Sequence, residues 1–68
     1  MIYSHINFVE PCESEAGAKE YTDLWIAVIA ALEKDFDVFI RSAPRIEEDK
    51  ASVTWIAKTR FSFGPKKG

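Results

Sequence analysis

Few side chains in this sequence have chemistry beyond packing and charge. His5 is the one histidine and Cys12 the one cysteine. On an alternating strand the neighbours of His5 give it no obvious partner, so it reads as a structural or exposed residue. Cys12 falls between a strand and a helix start, a position at which a thiol can become reactive. No second histidine is present to build a Cys–His pair around it. The acidic pairs Glu13/Glu15 and Glu47/Glu48 fit a helix start and a solvated turn. The chain has no glycine-rich phosphate loop and no spacing of ligands suited to zinc or calcium. The sequence therefore reads as that of a non-enzyme without a metal centre.

Aromatic and basic residues are more informative. Phe36 and Trp55 open two successive strands, where exposed rings can stack on a planar ligand or a partner. Arg41, Arg45, Lys58 and Arg60 lie on or near one parity of the same two strands. They either pair with the acids from Glu47 to Asp49 or face an anionic ligand. Phe36, Trp55 and Arg45 form the candidate ligand-binding set. Trp25 and Ile29 on the helix, with Phe61 and Phe63 on the last strand, form the candidate oligomer or partner interface.

These residues must be positioned by four elements. From Met1 to Val9 the residues alternate, with Ile2, Ile6 and Phe8 on one face and Tyr3, His5 and Asn7 on the other, which is a strand pattern. Pro11 cannot donate to a ladder and is expected to end it. Ser14 is a suitable N-cap, and Glu15 suits the positive end of a helix dipole. Tyr21, Leu24, Trp25, Val28 and Leu32 recur at helical spacing and predict the packed stripe. Ala27, Ile29, Ala30 and Ala31 extend apolar character around the rest of the helix, so something else must cover its back. Glu33-Lys34-Asp35 ends the helix.

A second strand begins near Phe36 and is interrupted at Ser42-Ala43-Pro44, which fits an edge position, a bulge or a bend. Glu47-Glu48-Asp49-Lys50 reads as a charged turn. In the third strand Val53, Trp55, Ala57, Thr59, Phe61 and Phe63 share one face, while Thr54, Ile56, Lys58, Arg60 and Ser62 share the other. The expected product is an α+β fold, a single βαββ domain over residues 1–63 with a three-stranded antiparallel sheet curled around one helix. Residues 64–68 read as a flexible basic tail.

A chain of 68 residues buries a small share of its surface and is marginal unless stapled, metallated or assembled. One cysteine cannot form an intrachain disulfide, and no metal set is visible. Assembly is the remaining route. The net charge of −2, with both signs mixed, argues against nucleic acid. A weaker nucleic-acid reading would use Trp55, Lys58 and Arg60. No apolar stretch approaches membrane-spanning length, and no basic segment leads into an apolar one at the N-terminus, so the expected location is the cytoplasm.

Three stretches resemble the dodecin family: Ile2 to Val9 as the opening strand, Asp35-Phe36-Asp37-Val38 at the start of the second, and Val53 to Phe63 as the last. The resemblance covers nearly the whole chain. It implies a homo-oligomer, a dodecamer, that stores or sequesters flavin (FMN or riboflavin) at subunit interfaces. The family's stacking tryptophan would match Phe36, and the glutamine after the early aromatic of the last strand would match Ile56, which cannot hydrogen-bond a flavin edge. The competing expectation is a small inhibitor of the kind phages encode, which would bind a larger protein partner through its strand edge and aromatic hairpin.

Overall fold

The computed structural model describes residues 2–66, in the order β1 (Ser4–Cys12), α1 (Glu15–Asp35), β2 (Phe36–Asp49) and β3 (Thr54–Pro65). This is the βαββ order expected. The strands form one open antiparallel sheet in the order β1-β3-β2, and α1 lies across one face, touching all three. The start of the first strand at Met1, and Lys67 and Gly68 of the expected tail, lie outside the described residues.

The helix begins where its cap residue places it. Ser14 is extended and its Oγ accepts from the Gly17 N–H at 3.1 Å, satisfying one of the first-turn donors that a helix leaves unpaired. Inside the helix, the half-buried Thr22 hydroxyl donates back to the Ala18 carbonyl at 3.0 Å. The inward stripe differs from the one expected. Ala18 and Ile29 are buried, with Thr22, Trp25, Val28 and Leu32 half-buried beside them, whereas Tyr21 and Leu24 are exposed. The helix is apolar nearly all round in its second half, so spacing alone does not fix its rotation. Trp25 fixes it, wedged between Phe8 and Phe61 at ring-centroid distances of 5.1 and 5.7 Å.

Three strand boundaries also correct the sequence reading. β1 continues through Pro11 to Cys12, because it is an edge strand and a missing amide facing solvent costs no ladder bond. Glu47, Glu48 and Asp49 belong to β2 rather than to the turn, which is formed by residues 50–53. There the Asp49 carboxylate accepts from the amides of Ala51 and Ser52 at 3.1 and 3.4 Å, replacing the ladder with an Asx turn. β3 continues to Pro65, so Gly64 and Pro65 are part of the sheet. Lys66 then donates to the carbonyls of Glu33 and Lys34 at 3.3 and 3.4 Å, satisfying acceptors left open at the end of the helix.

β2 is longer than β3 because its register slips twice, between Ile40 and Ser42 and between Ser42 and Arg45. Pro44 sits in the second irregularity, on an edge strand that tolerates it. The Ser42 carbonyl is claimed by the buried Thr59 hydroxyl at 2.8 Å. The sequence reading of a bulge at this point holds.

One chain of rings runs through the core: from the exposed Tyr21, through Phe8, Trp25, Phe61 and Phe63, to the exposed Phe36, with centroids 5.1 to 6.3 Å apart in tilted or edge-on arrangements. Although 47% of the sequence is apolar, the only apolar side chains that are buried among the described residues are Ala18, Ile29, Ala57 and Phe61. The molecule measures 46 × 18 × 11 Å, with a radius of gyration of 13.5 Å. A compact domain of this length would have about 11 Å. The accessible surface is 4855 Å², against about 4,300 Å² expected for a folded monomer of this mass.

Candidate functional site

Two surfaces differ from an ordinary exterior. The first is apolar. On the outer side of α1, Leu24 is 55% and Ile26 52% exposed, and Ala27, Ala30 and Ala31 lie open beside them. Leu24, Ala27 and Ala31 are three and four residues apart, so they form a second apolar stripe facing away from the sheet. Phe36, Ile40, Val9 and Phe39 add exposed apolar surface on the strands.

The interface candidates read from the sequence divide on this map. Ile29 and Phe61 lie in the chain's own core, Phe61 being 1% exposed, so neither is available to a partner. The reason is the helix rotation, which turns Ile29 toward the sheet and leaves Leu24 and Ile26 outside. Trp25 and Phe63 are half-buried within the ring chain. The Trp25 Nε1–H is buried without a hydrogen-bond partner among the described residues.

The ligand candidates are not brought together within one chain. Phe36 pairs with Pro65 at one end of the sheet and packs edge-on against Phe63 at 5.4 Å, keeping 37% exposure. Trp55 pairs with Cys12 and Glu48 at the other end. Ten residues of β3 separate the two positions, about 33 Å of extended chain. Arg45 is on the opposite face of the sheet, alongside Lys58.

That opposite face is the second surface, and it is basic. Arg45 and Lys58 share the Glu47 carboxylate at 2.9 and 3.5 Å. The Arg45 hydrogen bond, followed by the Lys58 charge, lowers the Glu47 pKa from its ordinary value. The expected pairing of the basic residues with the acids of residues 47–49 therefore holds for two of the four. Arg41 and Arg60 have no hydrogen-bond or ion-pair partner among the described residues. They line one shallow hollow of about 380 Å³ together with His5, Asn7 and Ser62. His5 Nδ1 and Ser62 Oγ share a hydrogen bond of 2.7 Å, which fixes the imidazole; its Nε2 has no hydrogen-bond partner among the described residues. Sequence spacing placed Lys58 and Arg60 on one parity. It did not place His5 and Asn7 beside them, because that follows from the pairing of His5 with Ser62 and of Asn7 with Arg60 across β1 and β3.

Cys12 closes β1 with its thiol 3.6 Å from the Glu10 carbonyl. No group of three metal-ligating side chains comes together among the described residues, and no helix there is long and apolar enough to cross a membrane. Against known protein families, curated proteins and solved structures, the chain has no match.

Proposed function

We propose that this chain is the subunit of a dodecin-like homo-oligomer, a cytoplasmic, non-catalytic binding protein that sequesters a planar ligand of the flavin type between subunits. The observation that carries the reading is the apolar surface a single chain leaves open, above all the stripe of Leu24, Ile26, Ala27, Ala30 and Ala31 on the outside of the helix. Side chains of this kind face water in quantity only where something else covers them. The elongated shape supports the same reading, since a fold with so thin a core gains stability by packing against copies of itself. The ligand half of the proposal rests on Phe36 and Trp55. Because one chain holds them at opposite ends of the sheet, a flat ring touching both would sit between Phe36 of one subunit and Trp55 of another.

Light scattering on the purified protein tests assembly. Chains of 7.7 kDa in a closed dodecamer give a particle on the order of 90 kDa. A monomer or dimer at micromolar concentration sinks the proposal. Quenching of added riboflavin fluorescence, lost in Phe36→Ala, is expected of the assembled particle; an assembled particle that leaves riboflavin fluorescence unchanged removes the flavin half alone. A second reading is supported by the open outer edges of β1 and β2, which can accept a strand from a larger protein. That reading, a small interaction inhibitor, is the one a monomeric result favours.

A further inference from the structure

We infer that the open face of the sheet carries a binding site for a phosphate monoester borne on a flat aromatic group, with Arg41 and Arg60 as its anchors. The site is separate from Phe36 and Trp55 and needs only one chain, so it stands or falls independently of assembly.

Charge is the first reason. The chain as a whole is acidic, with a net charge of −2, yet two guanidinium groups line the same hollow and no carboxylate lines it with them. Like charges held near each other raise the energy of the empty site, and an anion between them lowers it. The neighbouring pair shows what partnered cations look like on this sheet: Arg45 and Lys58 both reach Glu47. Guanidinium forks present paired N–H donors at the spacing of phosphate oxygens, which makes arginine suited to this role. The Asn7 amide and the free edge of His5, the latter braced through Ser62, supply further polar contacts on the same wall.

Size is the second reason, and it selects a small ligand over a polymer. The basic window is bounded by acids on the same face: Asp37 stands opposite Gly64 at one end, and Glu47 and Asp49 stand opposite Ile56 and Thr54 at the other. Between them, from Ser62 to Lys58, β3 spans about 13 Å. A nucleic-acid strand crossing the sheet would have only this short basic stretch to follow before it reached residues of mixed charge at either end. The hollow has a volume of about 380 Å³, and an adjoining one of equal volume shares Asn7 and Arg60 with it and runs on to Arg45 and Lys58; each is of the size that holds one small molecule.

The aromatic part follows from Phe39. It pairs with Ser62 beside the hollow, is 54% exposed, and is supported from one side by the Tyr3 ring at 5.6 Å. An exposed ring held in place next to an anion site offers a surface for a flat group attached to the phosphate.

Isothermal titration of the full chain with adenosine 5′-monophosphate, adenosine, inorganic phosphate and a short oligothymidylate tests the site. The monophosphate is expected to bind saturably and at least about tenfold more tightly than adenosine, with inorganic phosphate weaker than the monophosphate. Arg41→Gln combined with Arg60→Gln should weaken monophosphate binding by about tenfold or more. Lys19→Gln combined with Lys50→Gln removes the same charge elsewhere and should leave it unchanged. All four side chains are exposed, and the one ion pair removed, Lys19–Asp23, is a solvent-exposed bridge of little weight, so the variants are expected to stay folded with the parent's solution mass. The inference is overturned by any of four results: no saturable monophosphate binding up to on the order of 10 mM, equal affinity for adenosine, indifference to the arginine substitutions in a folded variant, or tighter binding of the oligothymidylate at matched salt.

Discussion

Gly64 is the position where one added methyl group tests the most. No glycine among the described residues has a positive φ, so the backbone at Gly64 does not require glycine. A Cβ placed there would sit 2.7 Å from Tyr3 Cδ2, 2.8 Å from Cε2 and 3.0 Å from Cγ. Carbon atoms in contact prefer about 3.5 to 4.0 Å, so the ring would have to retreat by about 1 Å. Its retreat would loosen the 5.6 Å contact between Tyr3 and Phe39. Overpacking costs about 1–3 kcal/mol and a tilted aromatic pair contributes about 0.5–1.5 kcal/mol. Against this, Gly→Ala stabilises by about 0.4–1 kcal/mol when the backbone tolerates it, through the unfolded chain. Gly64→Ala should therefore destabilise the protein by about 1 kcal/mol, while the same change in a Tyr3→Ala background should stabilise it by about 0.5 kcal/mol. The assay is urea unfolding followed by circular dichroism on the four members of the cycle, at several protein concentrations so that assembly is separated from folding. A Gly64→Ala variant that is more stable than the parent in both backgrounds would refute the proposed cross-strand packing of Tyr3 on Gly64.

Two further outcomes follow from local geometry. Val53 is the one non-glycine residue with positive φ among the described residues, at 52°, and its side chain is exposed; a β-branched residue is strained there, so Val53→Asn should stabilise the fold by about 1 kcal/mol. An unchanged urea midpoint would count against strain at that turn. For Glu47, the folded pKa lies below the unfolded one, so its contribution to stability is present above the ordinary carboxylate range and disappears as pH falls through the lowered value. The stability difference between the parent and Glu47→Gln should thus be seen at about pH 7 and shrink toward zero at about pH 3. A difference that grows on acidification contradicts the assignment of Arg45 and Lys58 as its partners.

Local features were readable in the sequence and long-range ones were not. Ser14, the helix end at Asp35, the start of β2 at Phe36 and the face assignments along β3 all depend on neighbours within a few residues. In the helix Trp25, Val28 and Leu32 face the sheet as their spacing predicts, but Tyr21 and Leu24 do not and Ile29 does, because Leu24 and Ile29 are chemically equivalent until Trp25 meets Phe8 and Phe61. Pro11 pointed to a strand end only as long as β1 was not known to be an edge. The hollow at Arg41 and Arg60 depends on the pairing of residues more than fifty positions apart, and the bulge at Ser42 helps to set which β2 side chains face it. Spacing within one segment carries no information about that.

The strand order β1-β3-β2 has a consequence in time. The central strand is made last: Ser4 must wait for Phe63, and Cys12 for Trp55. During synthesis β1 and β2 have no strand between them to pair with, and the helix carries apolar residues with only part of a sheet to cover them. The β2–β3 hairpin closes only the short turn of residues 50–53, but β1 can join only by closing a long loop onto β3, a step that is slow and leaves sticky segments open until residues 54–65 arrive. Until that strand has paired, the outer stripe of the helix and the facing edges of β1 and β2 are open at the same time.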